Sequence, residues 1–142
     1  MNKLTEVLLV ELIRMNFGQR DDTALLRALA DKHIAKALQL MHDNPAKAWS
    51  LDTLASEVGM SRAGFAKRFK QRVEYSMFDY LTQLRLQRAQ ALLEDTELPL
   101  YEIASRVGYA SDLAFTRTFK KRLGFTPTAY RKTVREKHAQ GR

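Results

Sequence analysis

A basic residue recurs at the same position in two similar segments of the chain, as Lys67 and as Arg117. Lysine and arginine side chains donate hydrogen bonds to DNA phosphates and to guanine O6 and N7 in the major groove. In the first segment the cation lies between Phe65 and Phe69, which share one face of a helix because they are four residues apart. The cation then belongs to the other face. The pattern predicts a DNA-reading face on each helix, because a merely solvated cation has no reason to recur.

The positions that share this face are spaced by about one helical turn and recur after 50 residues. In the first helix they are Ala63, Ala66, Lys67 and Lys70, and in the second Leu113, Thr116, Arg117 and Lys120. For Lys70 and Lys120, a solvated side chain is as good an interpretation as a phosphate contact. A serine precedes each helix, and its hydroxyl and the free backbone amides nearby suit phosphate contacts; these serines are Ser61 and Ser111. Further charge surrounds the two helices at Arg62, Arg68, Arg72, Lys121 and Arg122.

An internal repeat supplies the elements that position these two helices. Residues 51–60 match residues 100–109, and after one inserted residue the match continues as far as Tyr80 with Tyr130. Each copy predicts a short helix, a turn that begins at a glycine (Gly59 or Gly108), and a second helix capped by the serine. This is the layout of a helix-turn-helix.

The remaining segments also have helical patterns, and none alternates with a period of two. Ser76 to Glu94 predicts a linking helix of about 27 Å, whose apolar side consists of Phe78, Leu81, Leu84, Leu86, Ala89, Leu92 and Leu93. The other predicted elements are an apolar helix at 4–17, a polar break at 18–23, two helical pieces within 24–43, a last helix from Pro127 toward Lys137 and a frayed tail at 138–142. The predicted fold class is all-α: two helix-turn-helix subdomains joined by a long central helix, with extra N-terminal helices.

Composition and charge narrow the functional classes. The chain has 142 residues, of which 45% are hydrophobic and 28% charged, as in folded domains. Residues 1–60 carry a net charge of −1 and residues 61–142 carry +9, so the excess lies in the part that holds both predicted DNA-reading helices. Such asymmetry indicates a polyanionic partner. The absence of cysteine excludes disulfides, a cysteine-ligated zinc and a thiol nucleophile.

No pattern in the sequence predicts a catalytic site, a cofactor or a bound metal. His33, His42 and His138 do not have the spacing of metal ligands, and the glycine-rich nucleotide loops and the nucleophile elbow do not occur. The longest apolar run, residues 7–10, is too short to cross a bilayer, and no signal peptide of the usual layout opens the chain. We therefore expect a cytoplasmic protein without a membrane partner.

The second copy of the repeat resembles the signature of AraC/XylS-type transcription regulators. The residues that carry the resemblance are 103–109, Ser111, Phe115, Arg117, 119–121, Gly124, 126–127 and 130–131, and the match extends over about residues 34–134. The resemblance implies a DNA-binding domain of seven helices whose two recognition helices enter successive major grooves on one face of the duplex. It also implies these boundaries: an N-terminal helix and hinge at 1–33, then a DNA-binding domain at 34–142, with subdomains at 34–75 and 95–137 and a linker helix at 76–94.

The same resemblance assigns roles to individual positions. It implies that Ala63, Ala66 and Lys67 face the bases in the first recognition helix, and Asp112, Leu113, Thr116 and Arg117 in the second. Ser61, Arg62 and Ser111 match phosphate-contacting or capping positions. Residues 4–17 resemble the last helix of a cupin-type sensor domain, so we expect either a fragment or a member reduced to its DNA-binding part.

Two departures from the family pattern are expected to matter. Glu74 stands where the family and the second copy, at Gly124, have glycine. A left-handed residue other than glycine costs on the order of 1 kcal/mol, so local remodelling of that helix end is expected. The first recognition helix also has little reach toward base edges, because Ala63, Gly64 and Ala66 are small. Our hypothesis is that it reads DNA through Lys67 and shape, while Arg117, Thr116 and Asp112 discriminate more.

The sequence predicts a sequence-specific regulator of transcription that binds double-stranded DNA. The resemblance implies an activator that also contacts RNA polymerase. The alternative is a helical protein-interaction or architectural module with weak, non-specific nucleic-acid binding. The expected oligomeric state is a monomer or a weak homodimer that pairs through the N-terminal helix.

Overall fold

The computed structural model describes residues 22–140, and every regular element within them is a helix. The all-α fold class is confirmed. The helices are α1 (Asp22–Ala30), α2 (Lys32–Asp43), α3 (Leu51–Val58), α4 (Arg62–Val73), α5 (Met77–Asp95), α6 (Leu100–Val107), α7 (Asp112–Leu123) and α8 (Pro127–Gln140).

The N-terminal predictions are tested only in part. The predicted helix at 4–17 and most of the polar break at 18–23 lie outside the described residues. The two helical pieces predicted within 24–43 are α1 and α2, and α1 begins earlier than predicted, at Asp22. None of the helices in residues 22–140 is long and apolar enough to cross a membrane.

The chain divides into two compact units, one ending at Leu84 and the other beginning at Arg85. The first unit contains α1 to α4 and the first part of α5. Its core is aromatic and aliphatic: Phe65, Phe69 and Tyr80 are fully buried, together with side chains from α2 and α3. The Phe69 and Tyr80 rings meet edge to face, with their centroids 5.9 Å apart. Burial of each large apolar side chain contributes about 1.5–3 kcal/mol.

The second unit contains the rest of α5 and α6 to α8. Phe115 and Phe119 are its fully buried aromatic residues, as their counterparts are in the first unit. The Phe119 ring also meets that of Tyr130 edge to face, with the centroids 5.8 Å apart. Both phenylalanine pairs are therefore core residues.

The same helix-end geometry recurs before each recognition helix. Gly59 and Gly108 have φ of +74° and +102°, which is the left-handed region. The next residue folds back in each copy: the Met60 N–H donates to Ala55 O at 2.9 Å, and the Tyr109 N–H donates to the Ala104 carbonyl at 2.8 Å. These bonds form a Schellman motif, which directs the chain into the following helix.

Three predictions are corrected by the structure. Phe78, expected on the apolar side of the linking helix, is 67% exposed, and the buried residues at this end are Met77 and Tyr80. Leu84 and Leu86 are both buried, although residues two apart do not share a face of a helix. The single apolar side predicted for α5 is therefore two stripes, one in the core of each unit.

The other two corrections concern helix ends. The tail expected to fray from residue 138 is helical as far as Gln140. The end of α4 is not remodelled: Glu74 itself takes the left-handed conformation, with φ of +71°, and its N–H bonds to Lys70 O at 2.9 Å. Gly124 ends α7 with the same bond, to Lys120 O at 2.8 Å. The packing around the repeat therefore imposes the same turn on both residue types.

Candidate nucleic-acid interface

The two recognition helices, α4 and α7, expose and bury the same positions. Residues 61–70 and 111–120 have the same degree of burial at all ten positions. The phenylalanines at the fifth and ninth positions are fully buried in both. Exposure of the opposite face is therefore a property of the duplicated fold and does not depend on the side chains found there.

Every predicted DNA-facing residue lies on the accessible side of its helix. Ala66 and Thr116, at equivalent positions, are half-buried, and the others are exposed: Ser61, Arg62, Ala63, Lys67, Lys70, Ser111, Asp112, Leu113, Arg117 and Lys120. Leu113 is 57% exposed although it is apolar. Within each unit the fold brings the predicted set together on one helix face.

The serines that precede the helices act as N-caps. Ser61 Oγ accepts the Gly64 N–H at 3.1 Å, and Ser111 Oγ accepts the Ala114 N–H at 3.1 Å. Each hydroxyl hydrogen can still be donated outward, for example to a phosphate. The other unpaired amides of the first turn carry a partial positive charge, which also favours an anion.

Two arginines of α4 are bound to a carboxylate of the protein itself. Arg68 and Arg72 were expected to add to the charge around the recognition helix, but both bind the carboxylate of Asp31, which lies between α1 and α2. Arg72 Nε lies 3.3 Å from Asp31 Oδ2, and Arg68 Nε donates to the same oxygen. Sequence reasoning missed Asp31, because it is 37 residues from Arg68 along the chain.

The charge of Asp31 is favoured by its partners. Burial alone would raise the pKa of this carboxyl. The hydrogen bond from Arg68, those from the backbone N–H groups of Ile34 and His33, and the positive charge of Arg68 outweigh burial and hold the pKa below its usual value. Asp31 is therefore ionised at neutral pH.

A shallow groove of about 360 Å³ runs beside α4. Its lining residues are Met60, Gly64, Lys67, Arg68, Gln71 and Arg72. A Cβ at Gly64 would lie 2.9 Å from Ser61 Oγ, so the glycine avoids crowding of the capping hydroxyl. Three cations line the groove and suit an anion such as a phosphate, but Arg68 and Arg72 are already bound to Asp31.

The equivalent surroundings of α7 are aromatic. Tyr109 occupies the position of Met60, and Arg85 lies over its ring, with the guanidinium carbon 5.7 Å from the centroid. Burial raises the pKa of Tyr109 and lowers that of Arg85, and a hydrogen bond joins Tyr109 to Thr118, the counterpart of Arg68.

The last helix is fixed to the end of α5. The Tyr130 hydroxyl donates to the Glu94 carboxylate, and Arg131 donates to the carbonyls of Leu93 and Thr96, both at 3.1 Å. Burial, and then the bond to Glu94 and its negative charge, raise the pKa of Tyr130 to about 12. Tyr130 is therefore a packing residue.

Two of the three histidines, His33 and His42, make structural contacts. His33 Nδ1 donates to the Val58 carbonyl at 2.9 Å, and buried His42 is hydrogen-bonded through Nε2 to the Tyr80 hydroxyl at 2.5 Å. Among residues 22–140, no three His, Asp or Glu side chains are grouped so that they could hold a metal ion.

Comparisons with known proteins agree with this geometry. The family model described as "Helix-turn-helix domain" matches residues 54–133. The chain is 36% identical, over 129 residues, to the HTH-type transcriptional regulator AlkR of Acinetobacter baylyi, and the match covers 90% of this chain but 42% of that protein. The chain thus spans about two fifths of the length of this and two other curated relatives that it matches.

Solved structures show the same fold. The C-terminal domain of AraT, a response regulator from Geobacillus stearothermophilus, has a TM-score of 0.71 and 33% identity, with 72% of this chain and 86% of that chain covered. The DNA-binding domain of the global transcriptional factor AdpA, in complex with a target DNA, has a TM-score of 0.71 and 30% identity, with 75% and 96% covered.

Proposed function

Because the chain belongs to the family of AraC-type helix-turn-helix DNA-binding domains, we propose that it is a sequence-specific regulator of transcription that reads double-stranded DNA with α4 and α7. One observation carries this proposal. The two helices share one burial pattern at ten successive positions and leave a cation, Lys67 or Arg117, exposed opposite two buried phenylalanines. A groove-reading helix requires such a pair of faces.

The two helices are expected to contribute differently. The side of α4 that faces DNA has Ala63 and Ala66 next to Lys67, so one long side chain reaches outward from small neighbours. Arg117 on α7 is accompanied by Leu113 and Thr116, which add an apolar contact for thymine methyl groups and a hydroxyl. We expect α7 to discriminate bases and α4 to bind mainly backbone and shape.

Selection of bound duplexes from a random DNA pool, with the purified chain near physiological salt, tests the proposal. The expected result is a motif of two short elements, about 10 base pairs apart from centre to centre. A motif with one element would mean that one helix only positions the protein. No enrichment, with weak salt-sensitive binding, would instead support the alternative of an architectural or interaction module without sequence preference.

Single substitutions then test the division between the helices. Arg117→Ala is expected to relax the preference at one base pair by about 1–3 kcal/mol, whereas Lys67→Ala weakens all sites to a similar degree. Arg27→Ala, at an exposed arginine on α1, is the control for loss of one positive charge. If Lys67→Ala changed the preferred sequence more than Arg117→Ala, the proposed division would be wrong.

The remaining parts of the proposal concern partners. We take the regulator to be a cytoplasmic activator that contacts RNA polymerase, as the family resemblance implies. Transcription in vitro from a promoter that carries the selected motif tests this, and repression would reverse the assigned polarity. We take residues 4–17 to be the end of a cupin-type sensor domain or a weak dimer surface. Sedimentation that shows only monomer at high concentration would exclude the dimer.

A further inference from the structure

A single carboxylate joins the first recognition helix to the helices before it. Asp31 Oδ1 accepts the backbone N–H of His33 at 3.1 Å and that of Ile34 at 3.3 Å, and so caps α2. Oδ2 binds the side chains of Arg68 and Arg72, both from α4. Each oxygen of the carboxylate therefore serves a different helix.

The burial of Asp31 makes this contact demanding. Its side chain is 2% exposed, whereas those of Arg68 and Arg72 are 43% and 44% exposed. A buried carboxylate without donors is costly, so the two arginines are held where Asp31 requires them. They are four residues apart and lie on one side of α4. Their fixation restricts rotation of α4 about its own axis.

Helix α2 also holds the turn that precedes the recognition helix. His33 Nδ1 donates to Val58 O and Lys36 Nζ donates to Glu57 O, both at 2.9 Å. These carbonyls belong to the last turn of α3 and lack partners within that helix. The α1–α2 segment thus contacts both helices of the first helix-turn-helix.

The second copy of the repeat differs at the position of Arg68. Arg68 corresponds to Thr118, which is bonded to Tyr109 instead of a carboxylate. Asp31 itself precedes the first copy, which begins at residue 51, and so the repeat does not duplicate it. Any effect of Asp31 on DNA reading is therefore expected at one of the two recognition helices.

We propose that Asp31 is a positioning residue that, through Arg68 and Arg72, sets the orientation in which α4 presents Lys67 to DNA. This inference rests on the proposed function. It makes the α1–α2 segment a determinant of the affinity for only one operator element. This is the element that α4 contacts, and it is called the first element below; the second element is the one that α7 contacts.

The test measures the affinity of the full chain for three duplexes. One is the duplex that the wild type selects, and in each of the other two the bases of either the first or the second element are replaced by an unrelated sequence. Asp31→Asn keeps an oxygen for the cap of α2 but removes the charge. Glu97→Gln is the control: it makes the same change of net charge at an exposed pair, in which Arg135 Nη2 lies 2.7 Å from Glu97. Circular dichroism verifies that each variant is folded.

Asp31→Asn is expected to bind the intact duplex about tenfold more weakly. It should lose a similar factor on the duplex that retains only the first element, and nothing on the one that retains only the second. Its salt dependence should match the wild type, since no phosphate contact is lost. Glu97→Gln should bind all three duplexes at least as tightly as the wild type, because it adds the same positive charge without disturbing α4. The loss is diagnostic because the added positive charge alone would strengthen binding.

An equal loss at both elements, or a general gain in affinity, would overturn the inference while leaving the proposed function intact. Failure of the wild type to select any duplex would overturn both. Arg68→Gln gives an independent test if Asp31→Asn does not fold. It should cause the same element-specific loss, again without reducing the salt dependence. A salt dependence reduced by one phosphate contact would instead show that Arg68 binds DNA directly.

Discussion

Replacement of Glu74 by glycine is expected to stabilise the first unit. Among residues 22–140, Glu74 is the only residue other than glycine with a positive φ, at +71°. In the left-handed conformation a residue with a Cβ costs about 1–2 kcal/mol more than glycine. Glycine has more conformational freedom in the unfolded chain, and this offsets part of the stabilisation. We therefore expect Glu74→Gly to raise the free energy of unfolding by about 1 kcal/mol. With a urea dependence of roughly 1–2 kcal/mol per molar, the midpoint should rise by about 0.5–1 M.

Tryptophan fluorescence during urea unfolding measures the stability of the first unit, which contains Glu74. The one tryptophan of the chain, Trp49, is half-buried against the core of the first unit. Glu74→Ala is the matched control, because it removes the same side-chain interactions but retains a Cβ in the left-handed conformation. Alanine should give no gain. A midpoint that rises equally in both variants would refute the backbone argument and assign the effect to the glutamate side chain.

The reverse substitution should have the opposite sign in the second unit. Gly124 has φ of +88°, and an added Cβ would have no neighbour within 4 Å, so Gly124→Ala should cost about 1 kcal/mol from backbone strain alone, measured by circular dichroism in urea. Phe119→Ala should cost about 3–5 kcal/mol in the same assay, whereas Phe78→Ala, at an exposed ring, should change little; equal costs would contradict the assigned burial. The raised pKa of Tyr130, about 12, means that its neutral hydroxyl contributes stability that is complete below the unfolded value near pH 10 and is lost as the pH rises toward 12; the late part of the tyrosinate absorbance, to which Tyr109 also contributes, should decrease by one tyrosine in Tyr130→Phe, and an unchanged late part would count against it. Lys120→Ala should reduce the slope of log affinity against log salt by about 0.9 without altering the preferred sequence, and an unchanged slope would place Lys120 in solvent.

The local features of the fold were predictable because short-range rules determine them. The glycines at 59 and 108, the serines at 61 and 111 and the phenylalanine pairs act within one or two helical turns, and the structure confirms each. The repeat strengthened these predictions, since each feature had to hold twice.

The failures concern contacts that the local pattern does not contain. Asp31 meets Arg68 and Arg72 across the fold, and the sequence shows only an acidic residue between two helical pieces. Phe78 fits an apolar stripe by spacing, but Met77 and Tyr80 fill the core instead. The prediction that the end of α4 is remodelled at Glu74 was wrong for a related reason. The packing of the repeat imposes the left-handed turn even on a residue that disfavours it.

The difference between the two exposed faces bears on the kind of operator proposed for this chain. The buried positions of α4 and α7 are matched, but the accessible ones diverge: exposed Arg62 and Ala63 are replaced by Asp112 and Leu113, and half-buried Ala66 is replaced by Thr116. Arginine donates to phosphates and guanine, whereas aspartate repels phosphate and accepts from cytosine. Two helices with such different donors and acceptors cannot prefer the same bases, although they share one fold. The two operator elements are therefore expected to differ in sequence, and a single chain then binds its site in one direction only.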